Sequence, residues 1–355
     1  MFPWQKNVRK VDPYVPGEQP KTLDVTKLNT NENPYPPAPG VAEALKHMDA
    51  DLFRRYPDPD ASLLTEALAK TYHVNRNQVF VGVGSDDVIA MSFMTFFNSE
   101  KPVLFPDVTY AFYKVWAEML QISYETPALD ENFRIRAEDY KKPNGGIIFP
   151  NPNAPTSIYE PLSFVEEIVK ANPDSVVIVD EAYIDFGGES ALSLIDRYDN
   201  LLVVQTYSKS RSMAGARLGF ALGHPDLIGD LEKLKFSTNP YNVNRLTLKL
   251  GVAAVESDDY FRANAQRIMA TRETTITALR EMGFSVPQSL ANFVFITHPK
   301  LDGAKLYQAC KDKGVLIRHF STPALAPYNR VTIGSEEEMA VFLSVVEEIL
   351  AEEGV

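Results

Sequence analysis

The sequence predicts an α/β protein: a large domain with a mostly parallel sheet flanked by helices, plus a smaller α+β domain. Three observations carry this. Between about residues 41 and 240, short apolar runs alternate with longer amphipathic stretches. Short buried strands separated by helices imply a mostly parallel sheet covered on both faces. After about Asn239 the rhythm changes, and long helical stretches enclose a few strands. The length, 355 residues, is more than one compact core usually gathers.

The elements follow in order. Residues 1–40 hold eight of the 25 prolines, too many for a helix and too irregular for a core. They read as an extended arm lying over another surface, packed with the small domain and a partner subunit. The large domain is expected over 41–245. Its strand candidates are VFVGV (79–83), VLF (103–105), GIIF (146–149), VVIV (176–179), LLVV (201–204) and LGFAL (218–222). SLLTEALAKTY and PLSFVEEIVKA are helical between them. The small domain is expected over 246–355. It starts with the long helical pattern NRLTLKLGVAAVES followed by DYFRANAQRIMATRETTITALREMG. NFVFIT, GVLIR and RVTIG are its strands, and EEEMAVFLSVVEEILAEE closes it as an amphipathic helix. There are no internal repeats and no low-complexity tracts.

Composition narrows the function. The net charge is −12, so a nucleic-acid partner is disfavoured; a small anionic ligand needs only local arginines. Cys310 is the sole cysteine, which excludes an intramolecular disulfide and agrees with a reducing compartment. The histidines show no metal-ligand spacing. The start MFPWQKNVRK has no apolar core of a signal peptide, and no apolar run spans a bilayer. The expectation is a soluble cytoplasmic protein.

The chemistry-bearing residues cluster at strand ends. In TYSKSRSMAGARLGF, Lys209 sits just past an apolar strand and Arg217 follows eight positions later. A lone lysine there is usually a solvated loop residue. Burial would instead depress its pKa and make its amine a nucleophile towards carbonyls. VVIVDEAYIDF ends a strand in Asp180, with Tyr183 following. In an open α/β sheet ligands sit beyond the carboxyl ends of strands, where Asp180 could hold a protonated ring nitrogen. In VFVGVGSDD, Ser85 and Asp86 open a helix whose backbone N–H groups suit an anion; with no Gly-Lys-Ser/Thr this is no P-loop. The same pair would serve as an ordinary helix cap. Tyr110 in FPDVTYAFY could stack on a flat ring, and Asn153 in FPNPNAPTS could aim an amide at a ring hydroxyl. Arg318 and Arg330 end two apolar runs and could clamp a carboxylate or phosphate.

Taken together, these residues resemble the fold-type I pyridoxal-phosphate-dependent transferases, class II aminotransferases, and within them the histidinol-phosphate aminotransferase group. The resemblance runs from DPYVPG (12–17) through LNTNENPY (28–35), RRYPDPD (54–60), VDEAY (179–183) and SKSRSMAGARLGF to RVTIG (330–334). It implies that Lys209 binds pyridoxal 5′-phosphate covalently and shuttles the proton. It implies that Arg217, Thr206, Ser208 and the backbone at Ser85 and Asp86 hold the phosphate. Asp180 would keep the pyridine nitrogen protonated, Tyr183 would bond the ring hydroxyl and Tyr110 would stack on the ring. Tyr56 would cross to the neighbouring subunit's cofactor in a homodimer. Tyr14, Arg318 and Arg330 would receive the substrate phosphate, and Asn292 would be a cleft-facing asparagine on the substrate side.

The implied reaction converts L-histidinol phosphate and 2-oxoglutarate to imidazole acetol phosphate and glutamate, in histidine biosynthesis. An aromatic or other amino-acid aminotransferase, or a phosphothreonine-type decarboxylase, could use the same motifs. A non-catalytic cofactor-binding regulator is disfavoured, because Lys209, Asp180 and Arg217 are all present. The chain departs from the group in three places: Asp87 replaces the usual glutamate after Asp86, the tract STPALAPYN between the two arginines lacks the usual glycines, and one turn differs. The usual Pro-Asn-Asn-Pro-Thr-Gly reads Pro152-Asn153-Ala154-Pro155-Thr156-Ser157. Either Asn153 swings in, or Tyr183 holds the ring hydroxyl alone.

Overall fold

A computed structural model describes residues 2–20 and 24–355. Part of the expected arm therefore lies outside the described residues. The first half of the chain forms β1 (Thr26–Lys27), α1 (Pro39–Lys46), α2 (Ser62–Tyr72), β2 (Val79–Gly82), α3 (Gly84–Phe96), β3 (Val103–Leu104), α4 (Phe112–Leu120), β4 (Tyr124–Glu125) and β5 (Ile147–Pro150). It continues with α5 (Leu162–Ala171), β6 (Val177–Asp180), β7 (Leu201–Thr206), β8 (Gly219–Gly223) and α6 (Pro225–Thr238). Then come α7 (Arg245–Val255), α8 (Asp258–Glu281), β9 (Phe293–Ile296), α9 (Gly303–Asp312), β10 (Val315–Leu316), β11 (Arg318–His319), β12 (Asn329–Thr332) and α10 (Glu336–Glu353).

Seven strands make the main sheet, in the order β2-β8-β7-β6-β5-β3-β4. All run parallel except β8, which is antiparallel to both neighbours. Alternate residues of each central strand enter opposite faces, as the two-residue period requires. Ile147, Phe149, Val177, Val179, Leu201 and Val203 join α2, α5 and α7 in one core. Ile148, Ile178, Leu202 and Val204 join α3, α4 and α6 in the other. Both faces are covered, so these strands read as unbroken apolar runs rather than alternating ones.

A second core surrounds the three-stranded sheet β11-β12-β9 and takes in α8, α9 and α10. The expected continuous helical stretch breaks at Glu256–Ser257 into α7 and α8. Leu250, Ala254 and Val255 of α7 pack into the main-sheet core, whereas Ala265 and Ile268 of α8 pack into the second. The end of the arm joins the second core through Leu28, and β1 pairs with β10. No helix among the described residues is long and apolar enough to cross a membrane, and no metal-ligating cluster occurs among them.

Candidate active site

The antiparallel β8 explains why so many candidates meet. Gly219, its first residue, pairs with both Gly82 at the end of β2 and Thr206 at the end of β7. Arg217 therefore enters at the same sheet edge at which β2, β6 and β7 leave. Asp180 ends β6 and aligns with Val204. A strand run the other way would have put Arg217 at the far edge.

Asp180 is buried. Its carboxylate accepts from the Tyr113 hydroxyl at 2.8 Å and from the backbone N–H of Ala182 at 3.2 Å. Burial without a bonded cation pushes it up to about 6, the phenol and amide donors pulling the other way. Lys209 is half-buried; its Nζ donates to the carbonyl of Thr30 at 3.3 Å and lies 5.6 Å from the Tyr183 ring centroid. Asn33 holds the lysine's backbone through bonds to the carbonyls of Lys209 and Ser210. Tyr183 packs edge-on against Phe293, and its oxygen accepts from Asn31 at 2.9 Å.

Ser85 and Asp86 lie in the first turn of α3. Asp86 accepts from Tyr110 at 2.8 Å and from Arg217 at 2.9 Å. Two glycines shape this corner. A Cβ on Gly219 would come within 2.3 Å of the Ser85 nitrogen, and one on Gly84 within 2.6 Å of the Arg217 guanidinium. The backbone is thus bare where the helix N-terminus, Arg217 and β8 converge. Thr206 and Ser208 are buried beside it and bond to each other at 3.0 Å.

Asn153 is buried, and its amide is used locally. It donates to the Val108 carbonyl at 2.9 Å and to Thr156 at 3.1 Å, and accepts from Thr109 at 3.0 Å. Both amide hydrogens are spent on holding the turn.

Arg318 and Arg330 are direct cross-strand partners on β11 and β12. Like charges placed opposite one another repel unless an anion lies between them. Arg318 donates to the carbonyls of Val15 and Pro16, at 3.1 and 3.3 Å. Arg330 donates to Asn29 at 3.0 Å, and its buried Nε has no partner. Asn292 donates to the Asn31 carbonyl at 3.0 Å and leaves its own oxygen unpaired. Tyr14 stacks on Phe112 at 4.4 Å and lies 6.4 Å from Tyr110. Tyr56 stands apart: it is 76 % exposed and stacks on Tyr241 at 4.5 Å.

The chain matches the family model for aminotransferase class I and II over residues 23–346. It belongs to the class I and II aminotransferases. The resemblance to the histidinol-phosphate group holds too. A histidinol-phosphate aminotransferase of Methylococcus capsulatus is 51 % identical over 98 % of this chain and 98 % of its own length. Among solved structures, the histidinol-phosphate aminotransferase of Clostridium acetobutylicum superposes with a TM-score of 0.85 at 22 % identity, covering 92 % of this chain and 99 % of that one. The Sinorhizobium meliloti enzyme, in complex with pyridoxal-5′-phosphate, gives 0.80 at 22 % identity, covering 92 % and 91 %.

Membership makes this chain a pyridoxal-phosphate enzyme acting on amines and 2-oxo acids. The residues at the sheet edge fit that cofactor. Asp180 is a buried carboxylate with no bonded cation, suited to a protonated ring nitrogen. The bare backbone at Gly84 and Gly219, beside Arg217, suits a phosphate. Two residues of this aminotransferase escaped the sequence reading. Tyr113, three positions after Tyr110, is the one that reaches Asp180. Asn31 lies within the LNTNENPY block, but nothing local in that block says that its amide meets Tyr183.

Proposed function

We propose that this aminotransferase transfers the amino group of L-histidinol phosphate to 2-oxoglutarate, giving imidazole acetol phosphate and glutamate, as a cytoplasmic homodimer. The relatives' names support the substrate. The observation that carries the reading is the facing pair Arg318 and Arg330: a buried Arg330 nitrogen is unpaired, and Arg330 bonds the Asn29 carbonyl next to the Thr30 carbonyl that meets Lys209. A phosphate-bearing amine supplies the missing acceptor.

Pyridoxal phosphate, when bound, supplies an electron-withdrawing ring that acidifies the substrate α-carbon. Lys209 is the covalent anchor of the cofactor and moves the α-proton with its amine. Asp180, held by Tyr113, stabilises the positive charge on the ring nitrogen. Arg217, Thr206, Ser208 and the backbone at Ser85 and Asp86 bind the cofactor phosphate. Tyr110 covers the ring, and Tyr183 donates to the ring oxygen. With its amide saturated, Asn153 holds the turn, and Tyr183 takes the ring oxygen without it. Tyr14, Arg318 and Arg330 receive the substrate phosphate, and Asn292 stands on the substrate side. Tyr56 reaches from one copy to the phosphate end of the other's site, which accounts for its exposure here.

The test is a half-reaction. The cofactor-loaded protein is mixed with L-histidinol phosphate in the absence of any oxo acid, and the yellow absorbance is followed. Loss of the yellow band with formation of the pyridoxamine form is the expected outcome. An unchanged spectrum would move the substrate to another amine; release of carbon dioxide from a phosphorylated amino acid would make the protein a decarboxylase.

A further inference from the structure

We propose that Asn31 is a positioning residue that fixes Tyr183 as a hydrogen-bond donor towards the cleft. The proposal rests on the cofactor site described above. Asn31 is 1 % exposed and adopts left-handed backbone (φ 57°). Asparagine tolerates that conformation better than most residues.

Proton direction here is set from a backbone N–H, a group that can only donate. The backbone N–H of Asn31 is a donor, and it lies 2.9 Å from the Thr332 hydroxyl oxygen. That oxygen accepts there, so the hydroxyl proton is free for Asn31 Oδ1, 3.1 Å away. With Oδ1 accepting, the other end of the amide is Nδ2, which can only donate. Nδ2 faces the Tyr183 oxygen at 2.9 Å. A phenolic proton lies near the ring plane, on one side of the C–O bond or the other. Asn31 fills one side, so the Tyr183 proton takes the other.

The surroundings hold this arrangement still. Phe293 fixes the Tyr183 ring at 4.9 Å between centroids. Asn292 holds the Asn31 carbonyl, and the adjacent Thr30 carbonyl accepts from Lys209. Without Asn31 the phenol could turn its proton away and offer the cleft a lone pair instead. A donor to the cofactor's ring oxygen disperses that oxygen's charge. It thereby weakens the oxygen's hold on a proton shared with the neighbouring nitrogen.

The readout is the pH midpoint of the visible absorbance of pyridoxal phosphate bound to the protein. It is measured for wild type, Asn31→Ala, Tyr183→Phe and the double variant. Asn31→Ala should raise the midpoint by about 0.5 pH unit or more, the scale of one hydrogen bond. Tyr183→Phe should raise it further, and adding Asn31→Ala to it should change nothing. Equal shifts in both backgrounds, or no shift on Asn31→Ala, would overturn the proposal, because a purely structural asparagine does not act through the phenol. Should Asn31→Ala fail to fold, Asn31→Asp keeps the size and loses the donor. Its effect is read as the difference between the two backgrounds, which cancels the added charge. A wild-type protein giving no visible band with pyridoxal phosphate would sink the cofactor site, and this proposal with it.

Discussion

Asp180 and Glu181 lie side by side at the end of β6, and neither carboxylate has a salt-bridge partner among the described residues. Glu181 accepts from Ser190, Ala191 and Gln205, at 2.6, 2.6 and 2.9 Å. Burial raises Asp180 to about 6 and Glu181 to about 7, against ordinary values of 3.8 and 4.5. The fold then holds these protons more tightly than the unfolded chain does. The resulting stability is present at acid pH, below the ordinary values, and is lost as pH rises through the raised ones, about 3 kcal/mol at most for each. Melting curves of the cofactor-free protein should therefore fall between about pH 4 and 7.5. Asp180→Asn and Glu181→Gln should each flatten part of the slope, and cofactor loading should recover only the Asp180 part. Arg330→Ala should raise KM for the amine substrate by roughly 10- to 100-fold while leaving cofactor affinity unchanged. Equal losses of both would place Arg330 in the cofactor's half of the site.

Among the elements, the corner formed by β8 and α3 leaves no room for a side chain at Gly219. Gly219→Ala would drive a methyl group into the Ser85 nitrogen, so the N-terminus of α3 must shift. About 1–3 kcal/mol of destabilisation is expected. Pyridoxal phosphate should bind more weakly, as fluorescence titration would show; unchanged affinity would mean that this corner does not hold the phosphate. At this scale the sequence was most legible. SLLTEALAKTY is α2 residue for residue, and each of the apolar runs marks a strand, because burial on both faces demands unbroken hydrophobicity. The two-residue strands β1 and β4 gave no signal, since so short a ladder needs no pattern. Nor did the break between α7 and α8, where the apolar period continues while the face turns from one core to another. That Lys209, Asp180 and Arg217 come together at one end of the sheet was readable, because the apolar runs beside them mark the strand ends. Asn31 was not, because its partners Tyr183 and Thr332 lie 152 and 301 positions away.

For the molecule as a whole, Leu52, Phe53, Tyr56, Leu63 and Tyr241 leave a run of apolar side chains exposed on one chain. A second copy covering them fits the proposed homodimer. Complementation tests it. Lys209→Ala and Tyr56→Ala subunits are each expected to be impaired alone, the former abolished. Mixed and refolded, they should regain activity, because one site in each hybrid pairs an intact lysine with an intact tyrosine from the other copy. No regain would mean that Tyr56 serves its own chain. Three successive carbonyls, those of Asn29, Thr30 and Asn31, already accept from Arg330, Lys209 and Asn292. With Arg330 receiving the substrate phosphate as proposed, the Asn29 carbonyl is an internal competitor for it: Nη2 trades one acceptor for another, and only the unpaired Nε gains one. A phosphate outbids a neutral carbonyl because its bond to arginine is charge-assisted. L-Histidinol, lacking the phosphate, would offer Arg330 nothing better than the carbonyl it already holds, so the segment that blocks the weak ligand is the one that admits the strong one.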